Sequence, residues 1–245
     1  MAEQGIEFLE QASFSNEQAG LVDRRPADYC QPMGMYKRNQ IDDAIIALFD
    51  ARENPDRGSE LRRRITRLLQ TDRGAGAPFA FFSDEDLGSG SEAKFSSYEA
   101  FGVLMALVLL EQGFPQATAV GILRSVRRQL SKHHRRIMAT DPSVLFDPQE
   151  VAKLARPGAL VVRNTDPTFL AIARRSGSTE PTDLPGASVC RGFEELNAFA
   201  RTQVSITMVE LVNLAHDLDA RLREVLPKMR GRPKKSSDLT PRQLK

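Results

Sequence analysis

The stretch from Ser96 to Leu130 constrains the fold most, because it spells out two helices and the turn between them. Ser96-Ser97-Tyr98-Glu99 matches a capping box, in which the serine hydroxyl and the glutamate carboxylate each satisfy a backbone N–H left open at a helix start. Phe101, Leu104, Met105, Val108 and Leu109 then recur at helical spacing. Gly113 is placed to end that helix in a left-handed turn, and Pro115 suits the first turn of the next. The second helix buries Ala119, Ile122, Leu123, Val126 and Leu130. Its other face carries Arg124, Arg127 and Arg128, followed by Lys132, His133, His134, Arg135 and Arg136. Adjacent histidines cannot share a helix face, so no metal site is expected from them, and a surface position is.

Upstream, Ile41, Ala44, Ile45, Leu48 and Phe49 mark one face of an amphipathic helix, and Asn54-Pro55-Asp56-Arg57-Gly58 reads as its break. Ser59 is a good N-cap for a following helix whose buried stripe is Leu61, Ile65, Leu68 and Leu69. Arg62, Arg63, Arg64 and Arg67 fall on or beside its open face. Two helices joined by a short turn, the second rich in arginine, outline a helix-turn-helix. A solvated charged face is the alternative. Pro78-Phe79-Ala80-Phe81-Phe82 and Glu92 to Phe95 then read as two strands of a hairpin around the polar segment 83–91.

Taken together, this order of parts resembles the MerR-type winged helix family. The likeness is carried by Glu60-Leu61-Arg62 into Leu68-Leu69, by the glycine-containing hairpin ending at Phe95-Ser96, and by Leu107 to Leu123 with Gly113-Phe114-Pro115 at the bend. The family's Arg-Tyr-Glu segment and inducer-binding cysteine pattern are absent, so the resemblance is architectural. It implies a winged helix-turn-helix core.

Beyond Thr140-Asp141-Pro142 the character changes. Pro148 to Ala155 reads as a short helix, Ala159 to Arg163 and Thr168 to Ala173 as strands around the turn 164–167, and Ser188 to Cys190 as a third strand. Ser176 to Pro185 reads as an exposed loop. A final helix is expected from Ile206 to Leu226, with Leu211, Leu214, Leu218, Leu222 and Val225 either packed on the body or forming a seam in a homodimer. The expected class is mainly α with a small β component: a winged helix-turn-helix core plus a small α+β C-terminal region. The expected organisation is an N-terminal arm (1–33) with a short helix around Ile6 to Leu9, a DNA-binding domain (34–140), a small α+β domain for dimerisation or sensing (141–227) and a basic tail (228–245).

Charge is unevenly placed. Residues 228–245 hold seven Lys/Arg and one Asp, which leaves 27 positive against 31 negative in the first 227 residues of a chain whose net charge is +2. Within the tail, Arg230-Gly231-Arg232-Pro233-Lys234-Lys235 resembles the AT-hook, a motif of the A·T-rich minor groove. The resemblance has a physical basis: Gly231 permits close backbone approach, Pro233 keeps the segment extended, and the arginines suit a narrow groove of high negative potential. A solvated basic tail is the alternative.

Cys30 and Cys190 form no CxxC or Cys/His cluster. The longest apolar run, Val103 to Leu110, is far short of the ~20 residues a membrane helix needs. Residues 1–10 are acidic and lack a signal-peptide pattern. No phosphate-cradling Gly-rich loop, HExxH or GxSxG is present, so neither catalysis nor a cofactor is expected. The expectation is a cytoplasmic, nucleoid-associated DNA-binding regulator. Its contacts are expected from Arg62, Arg63, Arg64, Arg67, Arg124, Arg127, Arg128 and the tail, its DNA is in part A·T-rich, and a homodimer is open. An architectural nucleic-acid binder or a protein-interaction module are the alternatives.

Overall fold

The computed structural model describes residues 35–49, 54–83, 94–154, 163–174 and 185–226. The protein is mainly α with a small antiparallel β component. In chain order, β1 is Tyr36–Lys37, α1 Arg38–Leu48, α2 Pro55–Gly74, β2 Lys94–Phe95, α3 Ser97–Glu111 and α4 Gln116–Met138. There follow α5 Pro142–Leu145, α6 Pro148–Leu154, β3 Thr168–Arg174, β4 Ala187–Arg191, α7 Gly192–Arg201, β5 Ser205–Glu210 and α8 Val212–Glu224.

The capping box forms as its sequence requires. Glu99 N donates to Ser96 Oγ at 3.2 Å, and Ser96 N donates to Glu99 Oε2 at 2.7 Å. From Ala100 to Leu107 every residue of α3 is buried, so the helix is enclosed on all sides where the periodicity suggested one apolar face. A Cβ on Gly102 would meet the Phe81 ring at 3.4 Å, so glycine lets that ring lie against the helix. Gly113 takes a φ of +83°, the left-handed turn into α4. The whole predicted stripe of α4 is buried.

Three expectations are corrected. First, α2 begins at Pro55, where Asn54 Oδ1 accepts from Arg57 N at 3.1 Å; Asn54-Pro55 is a cap followed by a first-turn proline, and Gly58 lies buried inside the helix. Second, residues 78–82 form no strand, and Lys94–Phe95 pairs with Tyr36–Lys37 instead. The hairpin wing expected from 78–82 and 92–95 is therefore not formed by that pairing; most of its intervening turn lies outside the described residues. Third, Ser205–Glu210 is a strand, and the helix expected from Ile206 starts only at Val212. The break is made by Glu210, whose carboxylate accepts from Val212 N and Asn213 N, each at 2.9 Å, and so caps α8.

The C-terminal sheet has the order β4-β3-β5, antiparallel throughout, with Leu170 opposite both Val189 and Val209. Those three side chains enter the same hydrophobic core as α1 to α4 and α8. The other face holds Phe169, Ala171 and Cys190 against Leu196 of α7, a helix not anticipated from the sequence. Leu211, Leu218 and Leu222 are buried in the main core, so this leucine series packs on the body. The expected short helix near Ile6 lies outside the described residues, as do most of the loop 176–185 and all but the last residue of the strand expected from Ala159 to Arg163.

His134 also departs from expectation. It is buried, its ring 4.9 Å from that of Phe101 and 5.9 Å from that of Tyr98. His216 is half-buried, and its ring meets Phe146 edge-on at 5.5 Å. Burial, reinforced by the nearby His216, lowers the His134 pKa to about 4. A histidine with a depressed folded pKa stabilises the fold above its unfolded value, and that contribution is lost as pH falls towards the folded value. The window therefore runs from about 6.5 down to about 4. Asp42, raised to about 6 by burial, acts in the opposite sense as pH falls. Comparison with His134→Phe cancels the Asp42 part. Between pH 7 and pH 5 the wild type should lose about 2 kcal/mol more stability than the variant in urea unfolding. Equal losses would contradict a neutral, buried His134.

Candidate nucleic-acid interface

The arginines of α2 and α4 divide into those that hold the fold together and those that face outward. The first group centres on Asp72, a fully buried carboxylate near the end of α2. Asp72 accepts from Ala80 N at both oxygens and from Phe81 N at Oδ2, each at 2.9 Å. Arg124 Nε reaches its Oδ1 at 2.7 Å, and the same guanidinium donates to the Asp72 carbonyl oxygen. One helical turn on, Arg127 donates to the Phe79 carbonyl oxygen. Residues 79–82 are thus tied to both helices. Phe79, Phe81 and Phe82 are buried, and Arg73 lies 4.5 Å over the Phe82 ring.

Arg124 and Arg127 therefore serve the interior, where the sequence suggested contacts to DNA. Their spacing from the apolar stripe looked like an open face, but the 78–82 segment folds over that side of α4. Asp72 was the missed residue. It follows Leu61, Ile65, Leu68 and Leu69 in the same helical register, which marks it as inward-facing.

On α2, Arg62 pairs with Asp43 at 2.8 Å, and Arg64 pairs with Glu60 and Glu111 at 2.6 Å each. These are surface pairs, weak and open to exchange. Arg63 and Arg67, one turn apart, are exposed, and their guanidinium groups have no hydrogen-bond or ion-pair partner among the described residues. Arg128 of α4 is likewise exposed and unpaired among them. The remaining sequence candidates, Arg230, Gly231, Arg232, Pro233, Lys234 and Lys235, lie outside the described residues.

The end of α8 is tied to the helical body. Gln40 Nε2 donates to the Val225 carbonyl oxygen at 3.1 Å, which fixes the end of α8 to the first turn of α1. Two residues earlier, Arg38 Nη2 donates to Thr66 Oγ1 at 2.6 Å, fixing that same turn to the middle of α2. The first turn of α1 thus holds both the end of α8 and the middle of α2.

Among the described residues no helix is long and apolar enough to cross a membrane, and no three His, Cys, Asp or Glu side chains converge as a metal site. No family model matches the chain, and no curated protein matches it in sequence.

The division of arginines carries a stability prediction. Asp72→Ala leaves the largely buried Arg124 without its counter-charge, a loss of about 3–5 kcal/mol. In thermal unfolding followed by circular dichroism the midpoint should fall by roughly 10 °C or more, whereas Arg67→Gln should leave it within a degree or two of wild type. A near-normal midpoint for Asp72→Ala would refute the interior role.

Proposed function

We propose that the chain is a DNA-binding protein acting in transcription regulation, with the folded body choosing the site and the AT-hook-like tail holding the adjacent minor groove. The observation that carries this reading is the pair Arg63 and Arg67, one turn apart on α2 and exposed and unpaired among the described residues, in a chain whose sequence adds a second cationic element at 228–245. An arginine is well suited to base edges and to phosphate because its planar fork donates in pairs. The tail, net +6 over 228–245, adds affinity through phosphate neutralisation and counterion release. A nucleoid-associated location in the cytoplasm follows from the same reading.

An architectural, weakly specific DNA-binding role is the second reading. It is favoured by the absence of a strand at 78–82, so that segment does not form its half of the expected wing.

Fluorescence anisotropy with A·T-rich and G·C-rich duplexes separates the contributions. Ending the chain at Pro227 should weaken binding and flatten its salt dependence, and should abolish any preference for the A·T-rich duplex. Arg63→Gln with Arg67→Gln should reduce discrimination between a selected site and a scrambled one by about 1–3 kcal/mol for each lost base contact. Identical isotherms for the intact and shortened chains at low salt would remove the tail from the account. Unchanged discrimination in the double variant would leave the architectural reading.

A further inference from the structure

The helix α4 has a charge imbalance unlike that of any other element described. Its 23 residues contain Arg124, Arg127, Arg128, Lys132, Arg135 and Arg136 and no Asp or Glu. Three of these six have partners inside the protein: Arg124 on Asp72, Arg127 on the Phe79 carbonyl, and Arg136 on Asp166 and Thr168. The other three, Arg128, Lys132 and Arg135, are exposed and unpaired among the described residues. At about 100° per residue they fall within a sector roughly 60° wide, on the side of the helix opposite the buried stripe. Gln116 and Arg124 meet α2 on one flank of that sector, and Gln129, which accepts from Val189 N at 3.1 Å, meets β4 on the other. The three cations thus occupy the solvent ridge between α2 and the sheet.

We propose that this ridge is a second phosphate-binding track, along which one strand of a DNA duplex lies against Arg128, Lys132 and Arg135. The proposal rests on the DNA-binding reading and extends it to residues outside the helix-turn-helix and the tail. From Arg128 to Arg135 the helix advances about 10 Å. Over that length one strand of a duplex presents about three charges, at ~3.4 Å of axis each. Three cations facing three phosphates neutralise a strand without reading its bases, so the track contributes affinity and orientation. The ridge offers Ser125 and Gln129 beside the cations and no large apolar side chain to insert into a bilayer, which favours a nucleic acid over an anionic membrane surface.

The test compares the full-length wild type, the triple variant Arg128→Gln/Lys132→Gln/Arg135→Gln and the single variant Lys132→Gln. Anisotropy is measured against one A·T-rich duplex and its scrambled counterpart over a salt series, with phosphatidylserine vesicles as a separate arm. The slope of log K against log salt should shrink by about 2.7 in the triple variant and about 0.9 in the single one. The weakening should be equal for both duplexes, because phosphate contacts carry no sequence information. Wild-type binding with an unchanged slope in both variants would overturn the track alone. Loss of vesicle binding with duplex binding intact would overturn it by assigning the ridge to membranes. No duplex binding by the wild type would remove the DNA reading and the track with it.

Discussion

The contact between Asp72 and Arg124 is the constraint on which the helical core depends. A carboxylate with no solvent exposure is tolerated only when charge and hydrogen bonds replace its water. Here the replacement comes from three directions: a guanidinium on α4 and the backbone N–H groups of Ala80 and Phe81. Those bonds fix where the chain turns after α2, and the turn sets Phe79, Phe81 and Phe82 into the core against α3, where Gly102 leaves room for the Phe81 ring. A single polar contact thereby orients α2, α4 and the aromatic segment around the buried α3.

Much of this arrangement was legible in the sequence because local rules governed it. The capping box at Ser96, the glycine turn at Gly113 and the stripes of α2 and α4 depend on neighbours in the chain, and each is found where its residues demand. What was not legible depends on distant partners. The run Phe79 to Phe82 has the composition of a strand, yet the backbone donors of Ala80 and Phe81 are taken by Asp72, so it has no need of a sheet. The strand Ser205–Glu210 overlaps the start of the helix expected from Ile206, whose apolar stripe begins only at Leu211; pairing with β3 decides in favour of the strand. His134 looked solvent-facing among the basic residues 132–136, yet its position falls in register with Ala119, Val126, Leu130 and Ile137.

The candidate site follows the same rule. Sequence alone grouped the arginines by helix, whereas the structure groups them by partner. Arg124 and Arg127 belong to the interior, Arg62 and Arg64 to surface pairs, and Arg63, Arg67 and Arg128 to solvent. Helical phase sets Arg127 about 100° nearer the buried stripe than Arg128, and the folded 79–82 segment presents a carbonyl to the first and leaves the second uncovered. This division gives the proposed DNA-binding surface its shape: outward cations on α2 and on the ridge of α4.

Arginine footprinting with phenylglyoxal, with and without a bound duplex, tests that division most directly. In the free protein Arg63, Arg67, Arg128 and Arg135 should be modified readily while Arg124 and Arg127 stay protected, and the duplex should shield the first group without changing the second. Ready modification of Arg124 or Arg127 in the free protein, or outward arginines that react equally with and without DNA, would contradict the account.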